Sequence, residues 1–318
     1  MWPQNVSRQV PDYIRISSSE TSSVISPENV CNNAAPESSI SSSSSKNVRL
    51  LVVVCSAVEN AKERDTIRDS WASPSLTPDS VKVVFLVGKS NNFSVESDIM
   101  AEADKFGDII QEDFLDSYAN LTVKSLMMLR WFTRTCDTTP YVLKTDDDVY
   151  INLNQLDLLV SATSRQERVS SGGGDLLMGT LICGATPIRD PYNKWYAPAY
   201  MYHSRVYPNY LSGTAYLMSN SVARKLFEVA MITPMFHLED IYVTGILAKA
   251  AGVRPEDHVT FSYLKRTPSR CLYSQIVSSH HLSHLEMMNM AKQLMKNQKC
   301  KRLRKKQIRP YGPGKCKW

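Results

Sequence analysis

An almost uninterrupted apolar run, VRLLVVVC at residues 48–55, constrains the fold of this chain more than any other segment. Runs rich in Val and Leu are typical of strands that are buried on both faces, as in parallel sheets. Further apolar segments follow at residues 81–87 and 141–145, and stretches with helical character separate them. This alternation predicts an α/β fold with a mostly parallel central sheet that is flanked by helices.

Composition divides the 318 residues into three parts. Residues 1–47, rich in Ser, Asn and Pro, predict a flexible stem. Residues 48–298 carry the strand and helix pattern and predict a single catalytic domain. Residues 299–318 form a basic tail that holds much of the formal net charge of +6. Such a tail can bind nucleic acid or anionic lipid, but a solvated terminus explains it as well. We expect no nucleic-acid partner, because no aromatic residues are interleaved with the charges.

The cysteine pattern indicates disulfides rather than a zinc site. Seven cysteines show no CxxC spacing, which predicts one to three disulfides in an oxidising compartment and at least one remaining thiol. Cys55 lies inside the first predicted strand and is expected to be a buried thiol. Glycosylation sequons at Asn5, Asn92 and Asn120 are weak signs of a secretory route. No stretch reaches the roughly 18 apolar residues of a membrane span, and no signal peptide is found, so the chain is either cytosolic or lacks its membrane anchor.

Three adjacent carboxylates, Asp146, Asp147 and Asp148, follow the apolar segment 141–145. Adjacent carboxylates repel one another, and a divalent cation removes this cost because Mg²⁺ and Mn²⁺ take oxygen ligands. Open α/β sheets place their sites at the carboxyl ends of strands. The triplet therefore predicts a cation site, and a polar turn without a ligand is the simpler alternative.

Three other groups of residues are candidates for chemistry. Glu239-Asp240 opens a predicted helix, where acidic residues are either electrostatically favourable or, in the functional interpretation, a general base. His280-His281 is a candidate source of an imidazole ligand, although a late histidine is more often surface or core. Arg64 and Arg68 lie four residues apart on one helix face after the first strand, where nucleotide phosphates are often held. An ion-pairing surface is the alternative for these two arginines.

Six sequence blocks in one order resemble the inverting β-1,3-glycosyltransferases, a family that includes β-1,3-galactosyltransferases and β-1,3-N-acetylglucosaminyltransferases. The resemblance covers roughly residues 48–290. The blocks are RDTIRDSW at 64–71, EDFLDSYANLTVK at 112–124, KTDDDVY at 144–150, PIRD with KWY at 187–196, YPNYLSGTAY at 207–216 and EDIYVTG at 239–245.

The resemblance implies a GT-A fold, with an acidic DxD motif at a strand end. It implies transfer of a hexose from a UDP-sugar, in the first place UDP-galactose, to an acceptor glycan on a glycoprotein or glycolipid. The linkage would be β-1,3, formed with inversion and with Mn²⁺ or Mg²⁺ as cofactor. A luminal domain at the Golgi membrane is implied as well, with a membrane anchor in the full-length form that this chain lacks.

The resemblance also assigns roles to individual positions. Asp240 matches the catalytic base, and Glu239 and Trp195 fall on the substrate side. The metal ligands are assigned to Asp148, Asp146 and His280. The nucleotide side is assigned to Arg64, Arg68, Asp146 and Asp147.

Two positions depart from the family pattern. Leu211 stands where many relatives have Cys, so a common disulfide is expected to be absent or rerouted. Thr244 lies in a motif that is often shorter. The donor stays open between UDP-galactose and UDP-N-acetylglucosamine. A non-catalytic glycan-binding relative is the alternative from another class, and a phosphohydrolase is less favoured because Cys55-Ser56 stands where its nucleophilic Asp would be.

Overall fold

The computed structural model describes residues 8–15, 23–28, 30–31, 48–169, 174–296, 299–314 and 316. The strands are β1 Ser23–Ile25, β2 Leu50–Cys55, β3 Val81–Lys89, β4 Ile109–Leu115, β5 Tyr141–Asp146, β6 Val149–Ile151, β7 Leu177–Ile182, β8 Tyr210–Ser219, β9 Glu256–Asp257 and β10 Ser278–His280.

The helices are mostly short in the second half of the chain. They are α1 Asp12–Arg15, α2 Ala61–Asp69, α3 Phe93–Phe106, α4 Leu121–Thr135, α5 Leu153–Val169, α6 Asn220–Ala230, α7 Glu239–Ile241, α8 Ala248–Ala250, α9 Arg270–Tyr273, α10 His284–Leu294 and α11 Lys305–Ile308. A 3₁₀ turn at Tyr118–Asn120 precedes α4, and a π-helical segment, Tyr242–Leu247, joins α7 to α8.

The central sheet has the strand order β1-β4-β3-β2-β5-β8-β7-β9. Strands β4, β3, β2 and β5 run parallel, and β8 is antiparallel to both β5 and β7. Strand β9 extends the sheet parallel to β7, and β1 covers the edge of β4 in antiparallel orientation. A separate two-stranded sheet pairs β6 with β10. The predicted α/β class with a mostly parallel sheet is confirmed.

Strand β2 lies at the centre of two hydrophobic cores. All six of its residues are buried, and alternate side chains enter the core on opposite faces of the sheet. Helices α4 and α6 pack on one face, and α2, α5 and α10 pack on the other. Because full burial of a Val or Leu side chain is worth about 1.5–3 kcal/mol, this strand anchors both layers.

The described part of residues 1–47 packs on the domain, in contrast to the predicted flexible stem. Strand β1 pairs with β4, Val10 and Ile14 are buried, and Cys31 forms a disulfide with Cys136 after α4. Strand β1 covers the otherwise open edge of the sheet, and the few apolar residues of this Ser-rich segment pack in the core that contains α4. These contacts explain why the described part is ordered against the domain. The rest of residues 1–47, including the Asn5 sequon, lies outside the described residues.

The segment after residue 298 is also part of the domain, and it is not a separate tail. Disulfides Cys271–Cys300 and Cys183–Cys316 tie it down near both ends. Leu303 and Ile308 pack against the core, which the basic composition of the segment obscures.

The cysteine predictions agree with this structure. Three disulfides are present among the described residues, and Cys55 is a buried free thiol. Leu211, at the position where many relatives have Cys, is buried in the core and cannot form a disulfide. Cys183 is bonded to Cys316. Within the described part of the chain, no helix combines the length and apolar character needed to cross a membrane.

Removing residues 1–47 is expected to destabilise the domain, because it removes β1, the buried Ile14 side chain and the Cys31–Cys136 disulfide. A disulfide that closes so long a loop typically contributes about 2–4 kcal/mol to the free energy of unfolding. Chemical denaturation of the complete and shortened chains measures the difference. A chain lacking only residues 1–7 keeps all three features and is the control. Equal unfolding free energies for all three chains would contradict the packing described above.

Candidate active site

The three adjacent aspartates form a tight turn, here called the acidic turn (Asp146, Asp147 and Asp148), between β5 and β6. Strand β5 ends at Asp146 and β6 begins at Val149. Parallel strand β2 lies beside β5, and its last residue, Cys55, is opposite Asp146. The acidic turn and the loop after β2 therefore meet at the carboxyl edge of the parallel strands, where the sequence placed the site.

Each carboxylate of the acidic turn has different partners. Asp146 Oδ1 lies 2.5 Å from the Lys144 Nζ atom. Asp147 Oδ2 accepts hydrogen bonds from Ser56 Oγ at 2.8 Å and from Asn60 Nδ2 at 2.9 Å. Asp148 Oδ2 faces the rings of His280 and His281. The mutual repulsion of the carboxylates is thus countered separately on three sides.

The His280 ring is fixed beside Asp148 by the small second sheet. Strand β10 places His280 opposite Val149, the residue after Asp148. His280 Nε2 lies 3.1 Å from Asp148 Oδ2, and His280 Nδ1 lies 3.0 Å from the Tyr263 carbonyl oxygen. Because a carbonyl oxygen only accepts, Nδ1 carries a proton and donates. Metal-binding histidines are usually oriented in this way by a partner at the other ring nitrogen.

His281 joins this cluster, although the sequence assignment selected only His280. Its Nδ1 atom lies 3.3 Å from Asp148 Oδ2, and its backbone adopts a left-handed φ of 58°. Asp148, His280 and His281 each offer one ligand atom, and these atoms lie within 4.8 Å of one another. The adjacent histidines in the sequence were the signal for this second imidazole.

The donor set of this cluster fits a divalent cation such as Mn²⁺. Carboxylate oxygens suit Mg²⁺ and Mn²⁺, and imidazole nitrogen is accepted by transition metals. Burial opposes ionisation of Asp148, but the His280 hydrogen bond and the charges of both histidines outweigh it and lower the Asp148 pKa. Asp148 is thus held in the charged form that binds metal.

A buried lysine connects the acidic turn to the second acidic pair. Lys144 Nζ contacts Asp146, lies 2.7 Å from the Gly213 carbonyl oxygen and lies 3.8 Å from Glu239 Oε2. Burial disfavours its charge, but Asp146 and Glu239 outweigh burial and raise the Lys144 pKa. The sequence interpretation gave Lys144 no role, although a charged residue inside an apolar strand was a visible signal.

Glu239 is held inside the protein by hydroxyl groups. Its Oε1 atom accepts hydrogen bonds from Ser125 Oγ at 2.8 Å and from Tyr216 OH at 2.6 Å. These contacts join α4, β8 and α7 around one carboxylate. Glu239 therefore has internal partners on β5, α4 and β8, so it is part of the frame of the site as well as a neighbour of the substrate side.

Asp240 is half-buried at the start of α7 and is positioned by backbone N–H groups. Its Oδ1 accepts from Ile241 N at 2.9 Å and its Oδ2 from Gly213 N at 3.3 Å. A Cβ atom at position 213 would lie 3.2 Å from both Asp240 Cβ and Glu239 Oε2, so a larger residue would push against both acidic side chains. Burial, assisted by the Glu239 charge, raises the pKa of Asp240 to about 7. A carboxylate with this pKa suits a general base near neutral pH.

Thr244, in the motif that is often shorter, lies in the π-helical segment. A π-helical turn is the form in which a helix accommodates one extra residue. The Thr244 hydroxyl accepts from Leu211 N at 2.9 Å and donates to the Asp240 carbonyl oxygen at 2.6 Å. Thr244 therefore ties β8 to the helix that carries Asp240.

Trp195 lies near these carboxylates through contact with Tyr118. The Trp195 side chain is 48% exposed and interacts with the Tyr118 side chain. Burial raises the Tyr118 pKa, and the charges of Asp240, Asp146 and Glu239 raise it further. The resemblance assigns Trp195 to the substrate side, whereas it assigns no role to Tyr118, which lies in the block at 112–124.

Arg64 and Arg68, which the resemblance assigns to the nucleotide side, have their guanidinium groups in ion pairs. Arg64 is buried, forms two bonds of 2.7 and 2.8 Å to Glu102, and donates to the Ala57 carbonyl oxygen at 2.7 Å and to Ser56 Oγ at 3.1 Å. Arg68 pairs with Glu102 and Asp108. Glu102 of α3 and Asp108, which follows α3, therefore provide the counter-charges for both guanidinium groups. Arg64 supports the site indirectly, because it fixes the loop whose Ser56 holds the acidic turn.

Comparison with known proteins identifies the family. A family model described as Galactosyltransferase matches residues 62–259. Beta-1,3-galactosyltransferase 1 of Homo sapiens is 34% identical over 246 residues, which cover 76% of this chain and 73% of that protein. The chain belongs to the galactosyltransferase family. Beta-1,3-galactosyltransferase 2 of Homo sapiens is 32% identical over 253 residues, which cover 78% of this chain and 59% of that protein.

Membership in this enzyme family confirms the resemblance found in the sequence. The matched range includes the acidic turn, Trp195 and Asp240, whereas His280 lies beyond it. Among solved structures, the glycosyltransferase GlyE of Streptococcus pneumoniae TIGR4 aligns with 74% of this chain and 55% of its own, at 13% identity and a TM-score of 0.37. At that score, the likeness does not by itself establish a common fold.

Replacing Lys144 with Met is expected to lower the free energy of unfolding by about 3–5 kcal/mol, because Asp146 and Glu239 lose their buried counter-charge. The Lys225→Met variant is the control, since Lys225 forms an exposed pair with Asp175 and its loss should cost about 0–1 kcal/mol. Urea unfolding of both variants measures the two costs. Similar small losses for the two variants would contradict a structural role for the buried ammonium group.

Proposed function

We propose that this chain transfers galactose from UDP-galactose to a hydroxyl group of an acceptor glycan, forming a β-1,3 linkage with inversion and requiring a divalent cation. Family membership supports galactosyl transfer, and the names of the similar relatives support the linkage. One structural observation carries the proposed chemistry. A carboxylate suited to accept a proton, Asp240, lies near a separate acidic turn with an adjoining histidine pair.

The acidic turn and His280 form the proposed leaving-group side. Asp148, His280 and His281 would hold the cation, since their ligand atoms lie close together. Asp146, whose Oδ1 atom contacts Lys144, stays a proposed ligand on the sequence resemblance alone. When bound, Mn²⁺ would neutralise the negative charge that grows on the diphosphate as the bond to the sugar breaks. Asp147 keeps the turn in place through Ser56 and Asn60.

Asp240 acts on the acceptor side. It takes the proton from the acceptor hydroxyl group while that oxygen attacks C1 of galactose, and the bond between C1 and the UDP oxygen breaks on the opposite face. The electron pair of this bond leaves with UDP, so an α-linked donor gives a β-linked product. One base is sufficient for such a single displacement. The N–H groups of Gly213 and Ile241 keep the Asp240 carboxylate oriented throughout.

Trp195 and Tyr118 would line the sugar-binding region. Both side chains are about half exposed, and they contact each other beside the carboxylates. Sugar sites combine apolar surfaces for the C–H faces of the ring with a few polar groups that set orientation. The position of the two rings supports a role in holding a sugar ring close to Asp240.

The disulfides support a location in the secretory pathway. Three disulfides connect distant parts of the described chain, and such bonds persist in oxidising compartments. The proposed setting is therefore the lumen of the Golgi, with the acceptor carried by a glycoprotein or glycolipid and the domain attached to the membrane.

A UDP-release assay with a panel of UDP-sugars tests this function. The chain is incubated with β-galactoside and β-N-acetylglucosaminide acceptors, with and without Mn²⁺. Release of UDP from UDP-galactose that depends on both Mn²⁺ and acceptor is expected. Preference for UDP-N-acetylglucosamine would reassign the donor. Metal-dependent UDP binding without turnover of any donor would instead indicate a non-catalytic glycan-binding protein.

The variants Asp240→Asn and Asp148→Ala are expected to fail in different ways. Asp240→Asn removes the base and should lower the transfer rate by about 10²–10⁴-fold, while UDP binding in the presence of Mn²⁺ stays close to that of the unmodified chain. Asp148→Ala removes a cation ligand and should abolish metal-dependent UDP binding. Calorimetry and initial rates measure the two properties. Parallel loss of both properties in Asp240→Asn would exclude it as the base.

The transfer rate is expected to rise with pH through a midpoint near 7. The charged form of Asp240 accepts the proton, and the raised pKa of about 7 makes this form scarce at lower pH. Rates with saturating donor, measured from about pH 5.5 to about pH 8.5, test the expectation. UDP binding measured over the same range is the control for effects on the donor site. A rate that is already maximal at the lowest pH would contradict the assignment.

A further inference from the structure

The C-terminal strap, defined as residues 299–314 and 316, is fixed to the domain along its length. Its disulfides join Cys300 to Cys271 and Cys316 to Cys183. Between them, the buried Arg309 guanidinium forms an ion pair with Asp257 and donates to the Phe261 carbonyl oxygen at 3.3 Å. These contacts make the strap a rigid neighbour of the segment that follows β9.

Tyr311 of the strap holds the turn at residues 261–264. Its hydroxyl group lies 2.8 Å from Ser262 Oγ, and its ring lies against the Tyr263 ring with the centroids 5.2 Å apart. The other side of this turn is held by β10, because the Ser278 hydroxyl accepts from Ser262 N at 3.0 Å. The turn is therefore clamped between the strap and the strand that carries His280.

The same turn presents the Tyr263 carbonyl oxygen to His280. The bond from His280 Nδ1 fixes the proton on that nitrogen and leaves Nε2 directed at Asp148. A continuous path of contacts thus runs from Tyr311 through Ser262 and Tyr263 to the cation cluster. Tyr311, Ser262, Tyr263 and His280 all lie beyond residue 259, where the family match ends.

We propose that Tyr311 is a positioning residue for the cation site, acting through the Ser262-Tyr263 turn on the orientation of His280. This inference rests on the proposed cation-dependent function. Loss of a partner that orients a ligating histidine typically weakens metal binding by about 10–100-fold. Tyr311 acts one step further from the ring, so its removal should weaken Mn²⁺ binding by about 3–10-fold.

A double-mutant cycle tests the path of contacts. Free Mn²⁺ is measured by electron paramagnetic resonance during titration of the complete, disulfide-bonded chain and of its Tyr311→Ala, His280→Ala and doubly substituted forms. Tyr311→Ala should weaken Mn²⁺ binding when His280 is present and should have no further effect when His280 is replaced. The Tyr192→Ala variant is the control, since that side chain is 97% exposed and should leave Mn²⁺ affinity unchanged.

A second variant guards against misfolding. Tyr311→Phe keeps the ring contact with Tyr263 and removes only the hydroxyl contact with Ser262, so it should fold normally and weaken Mn²⁺ binding by a smaller factor than Tyr311→Ala. Unchanged affinity in both Tyr311 variants would overturn the inference alone, as would an equal loss with and without His280. Absence of Mn²⁺ binding by the unmodified chain would overturn the proposed cation dependence and the inference with it.

Discussion

The buried ammonium group of Lys144 is the interaction on which the site depends. It lies on β5, where the parallel half of the sheet meets antiparallel β8, and it contacts both Asp146 and the Gly213 carbonyl oxygen while Glu239 lies close by. Carboxylates in such surroundings would otherwise lose their hydration without compensation, at a cost of several kcal/mol each. One lysine therefore keeps the acidic turn and the acidic pair that opens α7 at a fixed separation.

That separation allows similar side chains to take different roles. Asp148 has its pKa lowered because the contact with His280 outweighs burial, whereas burial and the Glu239 charge raise the pKa of Asp240 to about 7. Carboxylates whose environments move their pKa values apart commonly divide charge stabilisation and proton transfer between them. In the proposed reaction, the acidic turn takes the leaving-group side and Asp240 takes the acceptor side.

The sequence could predict those features that depend on neighbouring residues. The apolar runs of β2 and β5 identify buried strands, and the three aspartates at the end of β5 indicate a site at the sheet edge. Contacts between residues that are distant in sequence could not be predicted from such local patterns. Nothing local shows that Glu102 of α3 occupies the Arg64 guanidinium, or that Cys316 reaches Cys183. Composition averages over the few apolar residues and cysteines that attach the described parts of the Ser-rich beginning and the basic end, so these attachments could not be predicted.

The anomeric configuration of the product tests the central claim most directly. The chain is incubated with UDP-galactose, whose sugar is α-linked, together with Mn²⁺ and a simple β-N-acetylglucosaminide, and the product is examined by proton and carbon NMR. Our account predicts a galactose residue in β linkage to O3 of the acceptor, because Asp240 deprotonates the hydroxyl group that attacks opposite the departing diphosphate. An α-linked product would contradict the single displacement, and release of free galactose alone would contradict the proposed transfer.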